Sequence, residues 1–209
     1  MRTTVGYRRH HAGTIETGVR VREALTESDF AGGAAVVADQ WTGTGFPAGF
    51  STANEVYEAA RSRQQRAAVT GVAVDGSGKI LGHVLVEHAD PDHRLIVNEQ
   101  RFSVATMART RLLWEIGGLA VSPESAGVGI GSALVDWAHS RVPAGHGLVM
   151  CAWSGSAGSV KIIRRRGGVL LGTDVHADTE YGMWVLEAAD ASRDVNRPGP
   201  LDRVTGKMI

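Results

Sequence analysis

The stretch GLAVSPESAGVGIGSALVDWA, residues 118–138, decides the reading of this chain. Its start closes an apolar run, LLWEIGGLAV (112–121), with the length and composition of a buried strand. Its end places Ile130, Leu134, Trp137 and Ala138 at i, i+4, i+7 and i+8, one apolar face of an amphipathic helix. Between them Gly127, Gly129 and Gly131 alternate with Val128 and Ile130. Such a loop lets backbone approach a ligand closely and aims free N–H groups and the positive helix end at one point. A phosphate or pyrophosphate is the natural guest.

Other phosphate loops fit less well. No Gly-Lys-Ser/Thr follows, which excludes a P-loop. A dinucleotide site wants its glycines directly after the strand and an acidic residue about 20 positions on. Here Ser122–Ala126 intervene, and the next strand ends Cys151-Ala152-Trp153 without a carboxylate. A ligand-free glycine turn is the bland alternative, and the strand–loop–helix context weighs against it.

Working outward, VRVREAL (19–25) reads as a first strand, with Thr26, Ser28 and Asp29 as cap residues for a helix through FAGGAAVVADQW. GTGFPAG (43–49) is a breaker-rich loop. Asn54 is expected to cap a second helix, EVYEAARSRQQR, carrying Val56, Ala59, Ala60 and Arg63 at helical spacing. Residues 67–90 predict a hairpin turning at Asp75-Gly76-Ser77-Gly78. Residues 91–110 are expected to form a long irregular connection. GLVMCAW (147–153), a short helix ending near Gly167, VLLGTDV (169–175) and YGMWVLEA (181–188) complete the pattern. The expectation is one mixed α/β domain over 19–188, with a flexible lead-in (1–18) and a polar tail (189–209).

The chain resembles the GCN5-related N-acetyltransferase (GNAT) family in residues 118–138, in LLWEIGG before them, and in SGSAGSVKIIRRRGGVLLGT (154–173) after the next strand. The resemblance implies the acyl-CoA N-acyltransferase fold, a mostly antiparallel sheet with a central parallel pair that splays to admit acetyl-CoA. It implies that Ala126, Gly127, Val128, Gly129, Ile130, Gly131 and Ser132 hold the pyrophosphate. Leu119, Ala120 and Val121 would line the pantetheine by backbone pairing, with Ser156 and Ser159 touching the cofactor further on. The first loop position, commonly Arg or Gln in the family, is Ala126 here. Gly117-Gly118 suits a bulge in the strand.

Transfer from a thioester to an amine needs an unprotonated amine, a polarised carbonyl and a protonated leaving thiol. Glu115 is a lone carboxylate in an apolar strand. Burial would raise its pKa toward a useful range, and the resemblance makes it the general base. The bland reading pairs it with Arg109 or Arg111. The family's usual proton-donating tyrosine aligns with Ile163, which cannot donate. The implied activity is acetyl transfer to a primary amine of a small molecule or protein. The alternative is a catalytically impaired CoA-binding regulatory module.

The remaining sequence mostly excludes. Lys plus Arg and Asp plus Glu are 22 each, so no global charge points to nucleic acid or an anionic membrane. No apolar run is long enough to span a bilayer, and the basic N-terminus lacks an apolar core for a signal peptide. With one cysteine, Cys151, a disulfide framework and a multi-thiolate metal site are excluded, and a cytoplasmic location is expected. No metal is expected; His83, His88 and His93 are too loosely spaced, and Cys151 reads as core. Arg164–Arg166 are a solvated helix end or a contact to the CoA 3′-phosphate. Glu55, Glu58, Glu87, Asp90, Asp92, Glu99, Asp178 and Glu180 are expected to give the acceptor site an acidic lining. A homodimer is compatible with this reading.

Overall fold

The computed structural model describes residues 18–43, 49–176 and 179–186. The expected lead-in, the polar tail, the loop over 44–48 and Asp178 lie outside the described residues.

Strand β1 (Arg20–Glu23) leads into α1 (Glu27–Gly43). The join is fixed by reciprocal capping: Asp29 N–H donates to Thr26 Oγ1 at 3.2 Å, and Thr26 N–H donates to the Asp29 carboxylate at 3.1 Å. The Arg22 guanidinium grips the same carboxylate through both oxygens, at 2.7 and 2.8 Å. In α2 (Ala53–Arg66) the cap is Thr52 rather than Asn54, which lies inside the helix. Glu55 at the third helical position returns the bond, completing a capping box that an aspartyl-type cap at Asn54 would lack.

The hairpin of β2 (Val69–Val74) and β3 (Ile80–His88) turns where expected, with Asp75 accepting from the Ser77 and Lys79 amides. Residues 91–110 are not irregular. They form β4 (Arg94–Val97), β5 (Gln100–Ser103) and α3 (Val104–Ala108). The β4–β5 turn is Asn98-Glu99, both in the left-handed region at φ 49° and 66°. Positive φ at both central residues matches the twist of the flanking strands; Glu where Gly is usual hides that turn in the sequence.

Then come β6 (Leu113–Val121), the glycine loop, α4 (Ile130–His139), β7 (Gly147–Trp153), α5 (Ala157–Arg165), β8 (Val169–His176) and β9 (Thr179–Leu186). The described strands form one sheet ordered β1-β2-β3-β6-β7-β9-β8-β4-β5. Every neighbouring pair is antiparallel except β6–β7. Helices cover both faces. A Cβ on Gly82 would meet Leu134 and Ile130 of α4, whereas the next residue, His83, lies against Gly33 of α1. Consecutive strand residues point to opposite faces, so α1 and α4 sandwich the sheet.

Two irregularities make the site. The parallel pair matches only Leu113–Ile116 with Gly147–Met150. Beyond that, β6 stays with β3 and β7 stays with β9, and the two diverge. On its other side, β6 carries one extra residue against β3, since His83 opposes Ala120 while Leu85 opposes Gly117. The bulge rests on Gly118 at φ +55°, where a Cβ is disfavoured.

Candidate active site

A cleft of about 710 Å³ fills the wedge between β6 and β7. Its floor is the backbone from Glu115 to Leu119 on one strand and from Met150 to Trp153 on the other. Trp41 and Phe50 stack at 6.4 Å on the α1–α2 side, and Leu95, Val104 and Met183 add apolar wall from the far end of the sheet.

At the open end of β6, the chain passes through a short 3₁₀ turn (Pro123–Ser125) into the loop. Gly127 and Gly129 sit at φ +85° and +96°, and α4 begins with no side-chain cap. The N–H groups from Gly127 to Ser132 find no partner among the described residues; the first bonded one is Ala133, to the Gly129 carbonyl. A row of unsatisfied donors at a helix start is an anion cradle. Arg166 braces it from α5, donating to the Ser132 carbonyl at 2.7 Å and to Asp136 at 2.8 Å. Of the expected basic patch, Arg166 is a strut, Arg164 lies over the Trp184 ring at 5.5 Å, and Arg165 is exposed.

The sequence-derived site residues fall into different roles. Leu119, Ser156 and Ser159 line the cleft, the two serines joined by a 3.0 Å hydroxyl bond. Ala126, Gly127, Val128 and Gly129 are exposed in the loop, whereas the Ile130 side chain is core, leaving only its N–H to serve. Ala120 is buried against α1 and α2. Val121 donates its N–H to Gln40 Oε1 at 2.8 Å, so a pantetheine amide could take that bond only by displacing the side chain. Ile163 is fully buried, as far from a proton donor in setting as in chemistry.

Glu115 lines the cleft with its side chain 19% exposed. Its neighbour is Arg63 of α2, at 3.4 Å, rather than Arg109 or Arg111. Arg63 also pairs closely with Glu87. Burial raises the Glu115 pKa; Arg63 pulls it back and Glu87 pushes it up again. The helical spacing that put Arg63 on the same face as Val56 and Ala60 was the signal for this contact, though nothing in the sequence says which carboxylates it meets.

Other cleft groups were not anticipated. Cys151 is not core: its thiol opens onto the cleft floor, where burial of the floor and then the Glu115 charge push its pKa up to about 12. Tyr181 of β9 reaches the cleft, its pKa raised by burial and by Cys151. His93 lies 3.0 Å from the Asp174 carboxylate, both on the wall. Of the acidic residues expected to line the acceptor site, Asp90 alone among those described does so. Glu55 is spent in the α2 cap, Glu87 on Arg63, Asp92 on Arg111, and Glu180 on Ser154.

Beneath the bulge, His83 Nδ1 donates to the Gly118 carbonyl at 2.8 Å, and His83 Nε2 accepts from Gln64 Nε2 at 3.1 Å. Carbonyl on one side and amide on the other fix the neutral tautomer. Burial lowers its pKa to about 4.

Among the described residues no cluster of His, Cys, Asp and Glu is placed to hold a metal, and no helix is long and apolar enough to cross a membrane.

The model of the acetyltransferase (GNAT) family matches residues 20–167. Similar solved structures include a histone acetyltransferase and related acetyltransferase from Corynebacterium glutamicum, at 21% identity, covering 80% of this chain and 95% of that one with a TM-score of 0.59. An N-acetyltransferase from Staphylococcus aureus is 17% identical, covering 81% and 98%, with a TM-score of 0.59. A phosphinothricin acetyltransferase from Sinorhizobium meliloti, in complex with acetyl-CoA, is 16% identical over 87% and 94%, with a TM-score of 0.58. At these identities the likeness to each structure is one of fold. No curated protein matches the chain.

Proposed function

Since the chain belongs to the GNAT acetyltransferase family, we propose that it moves an acetyl group from acetyl-CoA directly to a primary amine, with Glu115 as general base. The observation that carries this reading is the wedge between β6 and β7 with a loop of unpartnered N–H groups at its open end. Such a loop suits a pyrophosphate, and the wedge suits the extended arm behind it. On that reading a thioester would lie over the cleft floor, in the cavity that Glu115 and Tyr181 both line.

There Glu115 would take a proton from the amine, aided by a pKa that burial has raised. A backbone N–H at the Gly117–Gly118 bulge would polarise the carbonyl. Tyr181, a phenol protonated at neutral pH, supplies the donor that Ile163 cannot. The acceptor is a small amine with an apolar body, fitting the Trp41, Phe50, Leu95 and Val104 walls better than a polycation would. We assign the protein to the cytoplasm on the same reading.

The test is Glu115→Gln, which keeps shape and volume. Turnover should fall by about 10²- to 10⁴-fold with CoA affinity unchanged. Near wild-type turnover at neutral pH would remove Glu115 from the mechanism.

A further inference from the structure

The proton count of amine acylation asks for more than one base. An amine reaches the cleft at neutral pH as an ammonium. R–NH₃⁺ and the acetyl thioester become the N-acetyl amine, a thiol and one free proton. The new C–N bond forms as the C–S bond breaks, the nitrogen gives up two protons, and the sulfur takes one. Glu115 alone can shuttle the proton that ends on sulfur. The other proton must leave before the nitrogen has a lone pair to attack with.

We propose that His93, oriented by Asp174, removes that first proton and passes it to solvent. This rests on the transferase reading above. His93 Nε2 lies 3.0 Å from Asp174 Oδ2, a carboxylate neighbour that favours the N–H on Nε2 and so Nδ1 as the acceptor. Nδ1 has no partner among the described residues. The backbone on either side is held: His93 N–H donates to the Asp90 carbonyl at 3.3 Å, and the His93 carbonyl accepts from Val104 at 2.8 Å. The ring lines the cleft yet is 40% exposed, which gives the proton an exit that the Glu115 floor lacks. A base held in one tautomer by a carboxylate is a general solution to this task.

The order of events follows from position. The ammonium loses its first proton to His93 Nδ1, with the Asp174 carboxylate beside the other ring nitrogen. The nitrogen then attacks, its second proton passes to Glu115, and it returns by way of the Tyr181 hydroxyl to the sulfur as the C–S bond breaks. The charged groups facing His93 in the cleft are Asp174 of β8, Glu115 of β6 and Asp90 on its own segment. Arg63 and Arg66 of α2 oppose them, with Cys151 and Tyr181 as the weak acids nearby.

The experiment follows thiol release from acetyl-CoA with a set of primary amines of graded pKa, from about pH 6 to 9, for wild type, His93→Gln and Asp174→Asn. In His93→Gln, kcat/KM for the amine should fall by about 10²-fold at the acid end and recover as the free amine becomes abundant. The KM for acetyl-CoA should stay put. Asp174→Asn should shift the profile the same way, by less, and ¹⁵N NMR of the imidazole should show the wild-type Nε2–H tautomer lost. A His93→Gln profile that tracks wild type, or a loss equal at every pH, overturns the proposal. A wild type that releases no thiol with any amine overturns the transferase reading, and this one with it.

Discussion

Glu87 and Glu115 face each other across the β3–β6 pair, and the Arg63 guanidinium bonds to both. Directly opposed like charges destabilise a sheet, so the cation from α2 is what lets two carboxylates share that position. It also ties the second helix to the strand that floors the cleft, so one contact serves packing and chemistry together.

Arg63→Met should therefore cost about 2 kcal/mol, less than for a fully buried partner because the side chain is 32% exposed. The penalty should depend on pH. The Glu115 pKa, already raised by burial, rises further once Arg63 is gone. A carboxyl whose folded pKa is raised contributes stability at low pH and loses it as pH rises through that value. Urea unfolding should show the variant closer to wild type near pH 5 than at pH 8.

Gly129→Glu tests the loop. A Cβ there has open space, but φ +96° adds backbone strain of about 1–2 kcal/mol. Gly129→Gln carries the same strain and nearly the same bulk without the charge. Calorimetry should show CoA binding weakened in both, more in the glutamate variant, with the difference shrinking at high salt. Equal affinity in all three proteins would move the site elsewhere.

Gln40 occupies a strand-edge donor that an extended ligand would want. Gln40→Ala frees the Val121 N–H, and one neutral hydrogen bond nets about 1 kcal/mol. Acetyl-CoA should bind roughly 5-fold tighter to the variant. Weaker binding would mean that Gln40 itself holds the ligand.

The sheet, the loop and the bulge were legible because each has a local signal: alternating strands, three spaced glycines, two adjacent glycines in a strand. The β4–β5 hairpin was not, since Glu99 accepts a left-handed backbone that its residue type disfavours. The side chains around Glu115 were also hidden. Arg63, His93, Asp174 and Tyr181 come from four separate segments of the chain, and their meeting depends on sheet order β9-β8-β4, which no local pattern encodes. Cys151 misled for a related reason: a strand that splays from its neighbour exposes positions that would be core in a continuous sheet.

Asp29 links stability to acid. It is buried, with Arg22 first and then the Leu25 and Thr26 amides holding its carboxyl well below the usual range. A depressed folded pKa gives stability that is present above the unfolded value, about 4, and lost as pH falls from there. Asp29→Asn should cost about 2–3 kcal/mol at neutral pH and progressively less as pH falls below about 4, as read by denaturant titration at neutral and acid pH.

His83 acts in a different window. It is neutral in the fold, bonded to Gly118 and Gln64 on its two nitrogens, with a pKa lowered to about 4. The unfolded chain takes up its proton near 6.5, so between that value and about 4 the unfolded state binds more protons. Stability contributed by the neutral ring is complete above about pH 7 and drains away through that interval, by a few kcal/mol at most. Gln64→Leu removes the donor to Nε2, leaving that nitrogen buried and unbonded, which should cost about 2 kcal/mol. The loss should be smaller in acid, because the Gln64 donor stabilises only the neutral ring and its removal moves the folded pKa back toward the unfolded value. The same network holds the Gly118 carbonyl, and so the bulge in the cleft floor. Gln64→Leu should therefore raise the KM for acetyl-CoA even at temperatures where the protein is fully folded. A variant that loses stability with an unchanged KM would show that the network braces the core and leaves the floor unaffected.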